Sequence, residues 1–199
     1  WHVENKSACI HSMIKSCSSS EAASMIEGAI RHCTEMEVDR NYVDTHGQSV
    51  VAFAFSYLFN FKLMPRFKNI SSQKLYAANS NQITELKNIS SIIKKSINWE
   101  SIKKQYDVII KYATAIKTET SDTDSILKRF RKEVKHPAYL AICEIGKAVK
   151  TIFLCNYLGS EELRKEVNEG LNVVENWNSA NGFIFYGNSG KMNSNNIEE

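Results

Sequence analysis

The fold is decided by Asn41-Tyr42-Val43-Asp44-Thr45-His46-Gly47-Gln48. Its first residues are aromatic and β-branched, which is typical of a short strand over residues 41–45, and Gly47 stands where the backbone must turn tightly. Residues 48–60 are apolar nearly all round and predict a helix that lies between other layers. Residues 61–67 alternate in character and predict another strand, which Pro65 restricts to an edge position or a strand end.

The chain before this stretch predicts one more strand and one more helix. Residues 8–15 have strand character, and Ser18 with Glu21 forms a capping box that begins a helix ending near Met36. The resulting order, β-α-β-α-β, predicts an α/β fold with a partly parallel sheet, flanking helices and right-handed crossovers.

From about Ser71 onward the pattern predicts only helices. Apolar residues keep helical spacing from Trp99 to Ile116, so the aromatic residues between positions 99 and 112 are expected in the core. A polar break follows. Further helices are predicted over residues 125–135, 137–158 and 160–178, and the Gly-, Asn- and Ser-rich residues 181–196 are expected to form a loop.

Composition excludes several classes of protein. With 43% apolar residues, 24% charged residues and only two prolines, the 199-residue chain can bury a sizeable core, so disorder is excluded. The longest apolar run, within residues 50–59, is too short to cross a bilayer, and we expect a soluble chain. The five cysteines contain no C-x-x-C pair and are expected to be reduced core thiols, with Cys143 and Cys155 as a pair in the core. The first residue is Trp1 rather than Met, which suggests a piece of a longer protein.

Charge is divided unevenly along the chain. The net charge is only +3, but residues 62–150 hold 18 Lys and Arg against 8 Asp and Glu, while the two flanks are acidic. A basic stretch of this kind favours a polyanion such as nucleic acid as the partner. The same pattern also fits a lysine-rich helical surface that faces only solvent.

Two carboxylates have the positions that a Mg²⁺ site requires. Asp44 follows the central predicted strand, at the edge where open α/β sheets present ligands. Glu175 lies beside the apolar stripe of the helix predicted over residues 160–178. Carboxylates are hard oxygen ligands that suit Mg²⁺, although an Asp at a strand end also serves as a turn former and a helical Glu as a solvated side chain.

His46 suggests two other kinds of site. His46 could form a nucleophile-and-base pair with Cys33, or a zinc site with His11 and His32. The spacing in the sequence supports neither site, because no second thiol and no H-x-x-x-H pair lies nearby. Neither a Gly-x-Ser-x-Gly elbow nor a Gly-rich phosphate loop occurs in the sequence. His46 is therefore expected to support the site by hydrogen bonding or to contact DNA.

Three stretches together resemble one protein family. They are residues 41–48, Leu63-Met64-Pro65-Arg66-Phe67-Lys68-Asn69-Ile70, and Glu169-Gly170-Leu171-Asn172-Val173-Val174-Glu175-Asn176-Trp177-Asn178. In this order they are similar to the catalytic region of the Tn3 family of replicative transposases. The resemblance implies an RNase H-like fold with a long helical insertion, and an Asp, Asp, Glu triad in which Asp44 is the second acid and Glu175 the third. Neither Glu4 nor Asp39 matches the first Asp, so we expect this fragment alone to be inactive.

The resemblance implies a division of the chain into three parts. Residues 1–70 would form a partial RNase H-like core that lacks its first strand. Residues 71–158 would form a basic helical insertion, and residues 159–199 would supply the final catalytic helix and the tail of the core.

The resemblance also implies a function. The complete enzyme would use two Mg²⁺ ions, held by Asp44 and Glu175, to cleave DNA and transfer strands at transposon ends. Basic side chains would bind DNA phosphates, namely Arg66, Lys68, Lys128, Arg129, Arg131, Lys132 and Lys135. The expected partners are transposon-end DNA, target DNA and further copies of the protein, in the bacterial cytoplasm at the nucleoid and not at a membrane. A non-catalytic nucleic-acid-binding or interaction module and a different RNase H-like nuclease are the alternatives.

Overall fold

Helices and short strands alternate along the chain. The computed structural model describes residues 2–4, 8–13, 20–32, 35, 37–44, 47–132 and 136–186, except the side chains of residues 84, 130–132, 185 and 186. The strands are β1 (His2–Val3), β2 (Cys9–His11), β3 (Arg40–Val43), β4 (Lys62–Pro65), β5 (Leu75–Ala77) and β6 (Ile93–Ser96). The helices are α1 (Glu21–Ile30), α2 (Val50–Leu58), α3 (Ser80–Glu85), α4 (Trp99–Lys117), α5 (Thr123–Lys132), α6 (Pro137–Gly159) and α7 (Glu161–Tyr186). Among these helices none combines the length and the apolar character needed to cross a membrane.

The strands form small two-stranded sheets, so the described fold is mixed α/β. β1 pairs with β2 in antiparallel fashion, whereas β3 pairs with β4 and β5 pairs with β6 in parallel. Pro65, which has no N–H to donate, is the last residue of β4, as predicted. The β-α-β order around the deciding stretch is therefore confirmed for β3, α2 and β4.

α2 is the buried helix that its composition predicts. Phe53 has no exposed surface, and its ring lies 5.8 Å from the ring of Phe153 in α6. The backbones of α2 and α6 touch at Gly146, where a Cβ atom would fall 1.8 Å from the carbonyl oxygen of Val50. α2 also contacts β4 and α1, so it lies between layers of the core.

The prediction that only helices follow Ser71 is wrong, because β5 and β6 form a second parallel pair. The Tyr76 N–H of β5 donates to the Thr151 hydroxyl of α6 (3.1 Å), and Leu75 and Ile93 are buried. Each strand has only three or four residues, too few for a clear period. Packing against α6, rather than local sequence, therefore selects the strand conformation.

α4 buries only the second half of its predicted apolar face. Ile109 and Ile116 are fully buried, and α4 packs along α6. Trp99 and Tyr106 are 52% and 57% exposed, so the expectation that they lie in the core is wrong. Trp99 stands in the first turn, where its indole N–H donates to the Ala78 carbonyl (2.7 Å) instead of entering the core.

α1 is shorter than predicted. It begins at Glu21, and the predicted cap Ser18 lies outside the described residues. It ends at Ile30, earlier than the predicted end. Arg31 leaves helical geometry and pairs with Glu27 one turn earlier (3.5 Å) and with Glu119 in the turn between α4 and α5 (3.5 Å).

α7 is longer than predicted. It continues to Tyr186, so the loop expected from residue 181 onward is wrong for residues 181–186, and the rest of that segment lies outside the described residues. The side-chain amide of Asn181 donates to the Trp177 carbonyl one turn earlier (2.8 Å). Asn and Gly cost up to roughly 1 kcal/mol each relative to Ala in a helix, but a helix that is already formed can continue through them because extension is easier than nucleation.

The two cysteines expected in the core are not fully buried. Cys143 is partly buried, and burial raises the pKa of its thiol. Cys155 is exposed, because it follows the buried Leu154 and successive helical residues point about 100° apart. The expectation of a buried pair is therefore wrong.

Candidate metal centre

Asp44 and Arg66 lie at one edge of the β3–β4 pair. Asp44 directly follows β3, its side chain is exposed, and its carbonyl accepts from the Gly47 N–H (3.2 Å) in the turn toward α2. Arg66 directly follows β4, and its N–H donates to the carbonyl of Val43, the residue before Asp44 (3.0 Å). Parallel strands present their carboxyl ends at the same edge, which is where ligands bind in open α/β sheets.

α7 is fixed to β3 by three contacts. The Tyr42 hydroxyl donates to Oε1 of Glu166 (2.6 Å), and Arg40 forms an ion pair with the same carboxylate. One turn later, Gly170 touches the Tyr42 ring so closely that a Cβ atom would fall 2.4 Å from it. α7 therefore lies across β3 with no side chain between its backbone and the ring.

These contacts also fix the charges of the residues that form them. Burial, together with the hydrogen bond to Glu166, raises the pKa of Tyr42 to about 12. Hydrogen bonds from Tyr42 and Arg40 lower the pKa of the Glu166 carboxyl, and Glu166 in turn raises the pKa of Arg40. All three groups keep the same charge state around neutral pH, so the contact persists there.

Glu175 reaches the edge at which Asp44 lies. Its Oε1 is 3.9 Å from Nη2 of Arg66, and its side chain is 64% exposed. From the contact between Tyr42 and Gly170, five helical residues advance roughly 7.5 Å to Glu175, and two strand residues advance roughly 6.6 Å to Asp44. The helix and the strand run toward the same edge, so the two carboxylates stand at similar heights along β3.

The side chains at this edge suit part of a Mg²⁺ site. Asp44 and Glu175 offer exposed carboxylate oxygens, which are the ligands that Mg²⁺ prefers, and exposure leaves room for the waters that it retains. Within the described ranges, no group of three or more His, Cys, Asp or Glu side chains converges on one point. Asp44 and Glu175 could supply two ligands of such a site. His46, the expected supporting residue, lies outside the described residues.

Comparison with known proteins decides the family. The model of the Tn3 transposase DDE domain matches residues 1–199. The chain belongs to this family. The resemblance seen in the three stretches of sequence is confirmed, and no solved structure gives a significant match.

Curated relatives of this DDE domain are transposases. The chain is 28% identical over 181 residues to the transposase for transposon Tn1546 of Enterococcus faecium, which covers 90% of this chain and 18% of that protein. It is 23% identical over 199 residues to the transposase for transposon Tn21 of Escherichia coli, which covers 100% of this chain and 20% of that protein. The chain thus spans about a fifth of the length of the curated relatives it matches.

The predicted DNA-binding residues of the DDE domain fall into two groups. Arg66, which pairs with Glu175 (3.9 Å), and the exposed Lys68 follow β4. The others belong to α5 and the residues after it, where Arg129 is exposed. The side chains of Arg131 and Lys132, and the whole of Lys135, lie outside the described residues.

Lys128 is engaged within the DDE domain itself. Its Nζ pairs with Asp124 one turn earlier (2.6 Å), and the same carboxylate accepts from the Ser20 N–H at the start of α1 (2.9 Å). Ile126 and Leu127 are buried, as predicted for the apolar side of α5. The basic helix is therefore held against α1.

Sequence reasoning missed Arg40, Tyr42 and Glu166. Strand alternation could have indicated two of them, because Arg40, Tyr42 and Asp44 occupy alternate positions and share the face of β3 that α7 covers. No pattern around Glu166 distinguishes it from the other acidic residues of α7. In the DDE domain this face of β3 determines where α7 lies.

Proposed function

We propose that this chain is the part of a Tn3-family transposase that cleaves DNA and joins strands at transposon ends. The observation that carries the proposal is the placement of Asp44, Arg66 and Glu175 at the carboxyl edge of the parallel β3–β4 pair. Two carboxylates at such an edge suit a divalent cation, and an arginine beside them suits a DNA phosphate. The transposases among the relatives support this class of reaction.

The proposal includes an RNase H-like fold. The parallel pair joined through α2, with α7 lying across β3, supports this assignment. Residues 1–70 and 159–199 then belong to the core and residues 71–158 to the insertion. The close contact of Gly146 in α6 with Val50 in α2 then packs the insertion against the core.

The chemistry proposed for this edge depends on hard cations and on the residues that hold them. Two Mg²⁺ ions held here would activate an attacking water or 3′-hydroxyl and would stabilise the leaving 3′-oxygen. Asp44 and Glu175 act as ligands and not as nucleophiles, and a first Asp from elsewhere in the full-length protein completes the set. Arg66, which pairs with Glu175 (3.9 Å), and the exposed Lys68 would bind a DNA phosphate.

The Asp44→Asn variant of the complete transposase tests this proposal. We expect the variant to lose cleavage and strand transfer while it retains its affinity for transposon-end DNA. Asp39→Asn is the matched control, because Asp39 is 68% exposed at the opposite end of β3, where it pairs with Arg40 (3.2 Å) and Lys62 (3.8 Å). Unchanged cleavage by Asp44→Asn would remove Asp44 from the site.

The same assay separates the alternative functions. Cleavage by the wild-type enzyme without joining of strands would indicate a nuclease. DNA binding with neither reaction in the presence of Mg²⁺ would indicate a non-catalytic binding module. We propose that the complete enzyme acts as a homo-oligomer on end and target DNA, at the nucleoid of the bacterial cytoplasm, and its mass in solution tests the oligomeric state.

A further inference from the structure

A groove of about 970 Å³ opens at the carboxyl ends of β5 and β6. It lies between the segment that follows β5 and the start of α4, and it is lined by residues including Asn79, Lys94, Lys95, Trp99 and Lys147. None of these residues belongs to the edge that holds Asp44 and Glu175. The groove also contains none of the basic residues predicted to bind DNA.

Trp99 gives this groove an aromatic surface held in place. The indole N–H donates to the Ala78 carbonyl (2.7 Å), which fixes the ring, yet the residue remains 52% exposed. The exposed part of the ring is accessible to a ligand that enters the groove. The flat face of an indole suits a nucleobase, because every base can stack on it.

The uncompensated charge of the groove is positive. Its two acidic residues are engaged: Glu144 accepts from the Asn98 N–H (2.9 Å) and pairs with Lys147 (2.5 Å), and Glu100 pairs with Lys104 (3.8 Å). Lys94 and Lys95 are exposed, and within the described part of the chain neither forms an ion pair. Two adjacent cations beside an aromatic face fit the alternating phosphates and bases of a nucleic acid strand.

We propose that this groove binds a single strand of DNA, with one base stacked on Trp99 and the neighbouring phosphates at Lys94 and Lys95. A single strand is favoured over a duplex because the indole can stack only on a base that has left the duplex stack. DNA is favoured over an acidic protein because the chain belongs to a transposase family. The choice of DNA thus rests on the proposed function, whereas the location of the groove does not.

Cross-linking in the complete transposase tests the proposal directly. The probe is a single-stranded oligonucleotide carrying 5-iodouracil, and the cross-linked peptide is identified by mass spectrometry. We expect a cross-link at Trp99 that Trp99→Ala abolishes and Trp99→Phe retains. Tyr106→Ala is the control, because Tyr106 is 57% exposed on the same helix but does not line the groove.

Fluorescence anisotropy with oligo(dT) gives a second readout. Trp99→Ala should weaken binding about fivefold or more, the loss of one stacked base. Lys94→Ala together with Lys95→Ala should lower the slope of log affinity against log salt by about 1.4. Circular dichroism checks that each variant folds, and the exposed lysine pair remains testable if Trp99→Ala does not fold.

Several results would overturn the groove assignment. They are a cross-link elsewhere in the chain with none at Trp99, an unchanged affinity and salt slope in both variants, or equal binding of blunt duplex that Trp99→Ala leaves unaffected. Asp44→Asn should retain the cross-link at Trp99. A result that contradicts DNA binding in the groove can therefore be distinguished from one that contradicts the proposed catalytic site.

Discussion

Gly170 of α7 lies directly against the ring of Tyr42 in β3, where a Cβ atom would fall 2.4 Å from the ring. Real Cβ atoms essentially never approach other atoms so closely, so only glycine lets the helix backbone lie on the ring. This contact places Glu175, five residues further along α7, beside Arg66 (3.9 Å). The position of a proposed metal ligand thus depends on an uncharged backbone contact as well as on the contacts of Glu166 with Tyr42 and Arg40.

Gly170→Ala should displace α7 from β3. We expect the free energy of unfolding to fall by about 1–2 kcal/mol, because overpacking costs more than the roughly 1 kcal/mol that Ala gains over Gly in a helix. Urea unfolding followed by circular dichroism measures the change. Gly159→Ala is the control, because a Cβ there meets nothing within 4 Å. Equal effects of the two substitutions would show that the contact with Tyr42 does not matter.

Tyr42 should make stability depend on pH in the alkaline range. Its pKa is raised from 10.0 to about 12, so between these values the folded protein keeps a proton that the unfolded chain releases. The free energy of unfolding should therefore fall as pH rises through this window. Tyr42→Phe should reduce that dependence. The same slope in the wild-type protein and in Tyr42→Phe would contradict the assignment.

Arg66→Ala should weaken the binding of transposon-end DNA by the complete enzyme. Loss of one phosphate contact lowers the slope of log affinity against log salt by about 0.9. Lys62→Ala is the matched control, because Lys62 begins β4 at the opposite end and pairs with Asp39 (3.8 Å). A salt slope that changes equally in both variants would argue against a specific phosphate contact at Arg66.

The basic side of α5 should contribute more strongly to DNA binding. Replacement of Arg129, Arg131 and Lys132 by Ala in the complete enzyme should lower the salt slope by about 2.7, because three phosphate contacts are lost. The control removes the same charge from exposed positions of α4, namely Lys103, Lys111 and Lys117. An unchanged slope in the α5 variant would remove this helix from the DNA interface.

The sequence predicts the region around Asp44 well because its signals are local. A β-branched stretch, a glycine turn, an apolar helix and a proline at a strand end each act over a few residues, and β3, α2 and β4 follow them. The sequence does not predict β5 and β6, because a hydrogen bond between Tyr76 and the distant Thr151 helps to stabilise the strand conformation. The exposed position of Trp99 is not predicted for a similar reason, because its hydrogen-bond partner Ala78 lies in a segment expected to be helical.

The candidate site can likewise be predicted from the sequence only in part. The place of Asp44 after a strand can be inferred from neighbouring residues alone. The pairing of Glu175 with Arg66, and the contact of Glu166 with Tyr42, depend on how α7 crosses β3. Such crossings are set by packing between segments far apart in the chain, which sequence periodicity does not report.

Iron-directed cleavage of the polypeptide tests the central claim most directly. Fe²⁺ replaces Mg²⁺ in the complete transposase, and ascorbate with peroxide then generates radicals that cut the backbone near the bound metal. We expect cuts near both residue 44 and residue 175, which Asp44→Asn abolishes and excess Mg²⁺ suppresses. Cuts near only one of the two positions, or a pattern that Asp44→Asn leaves unchanged, would contradict the claim.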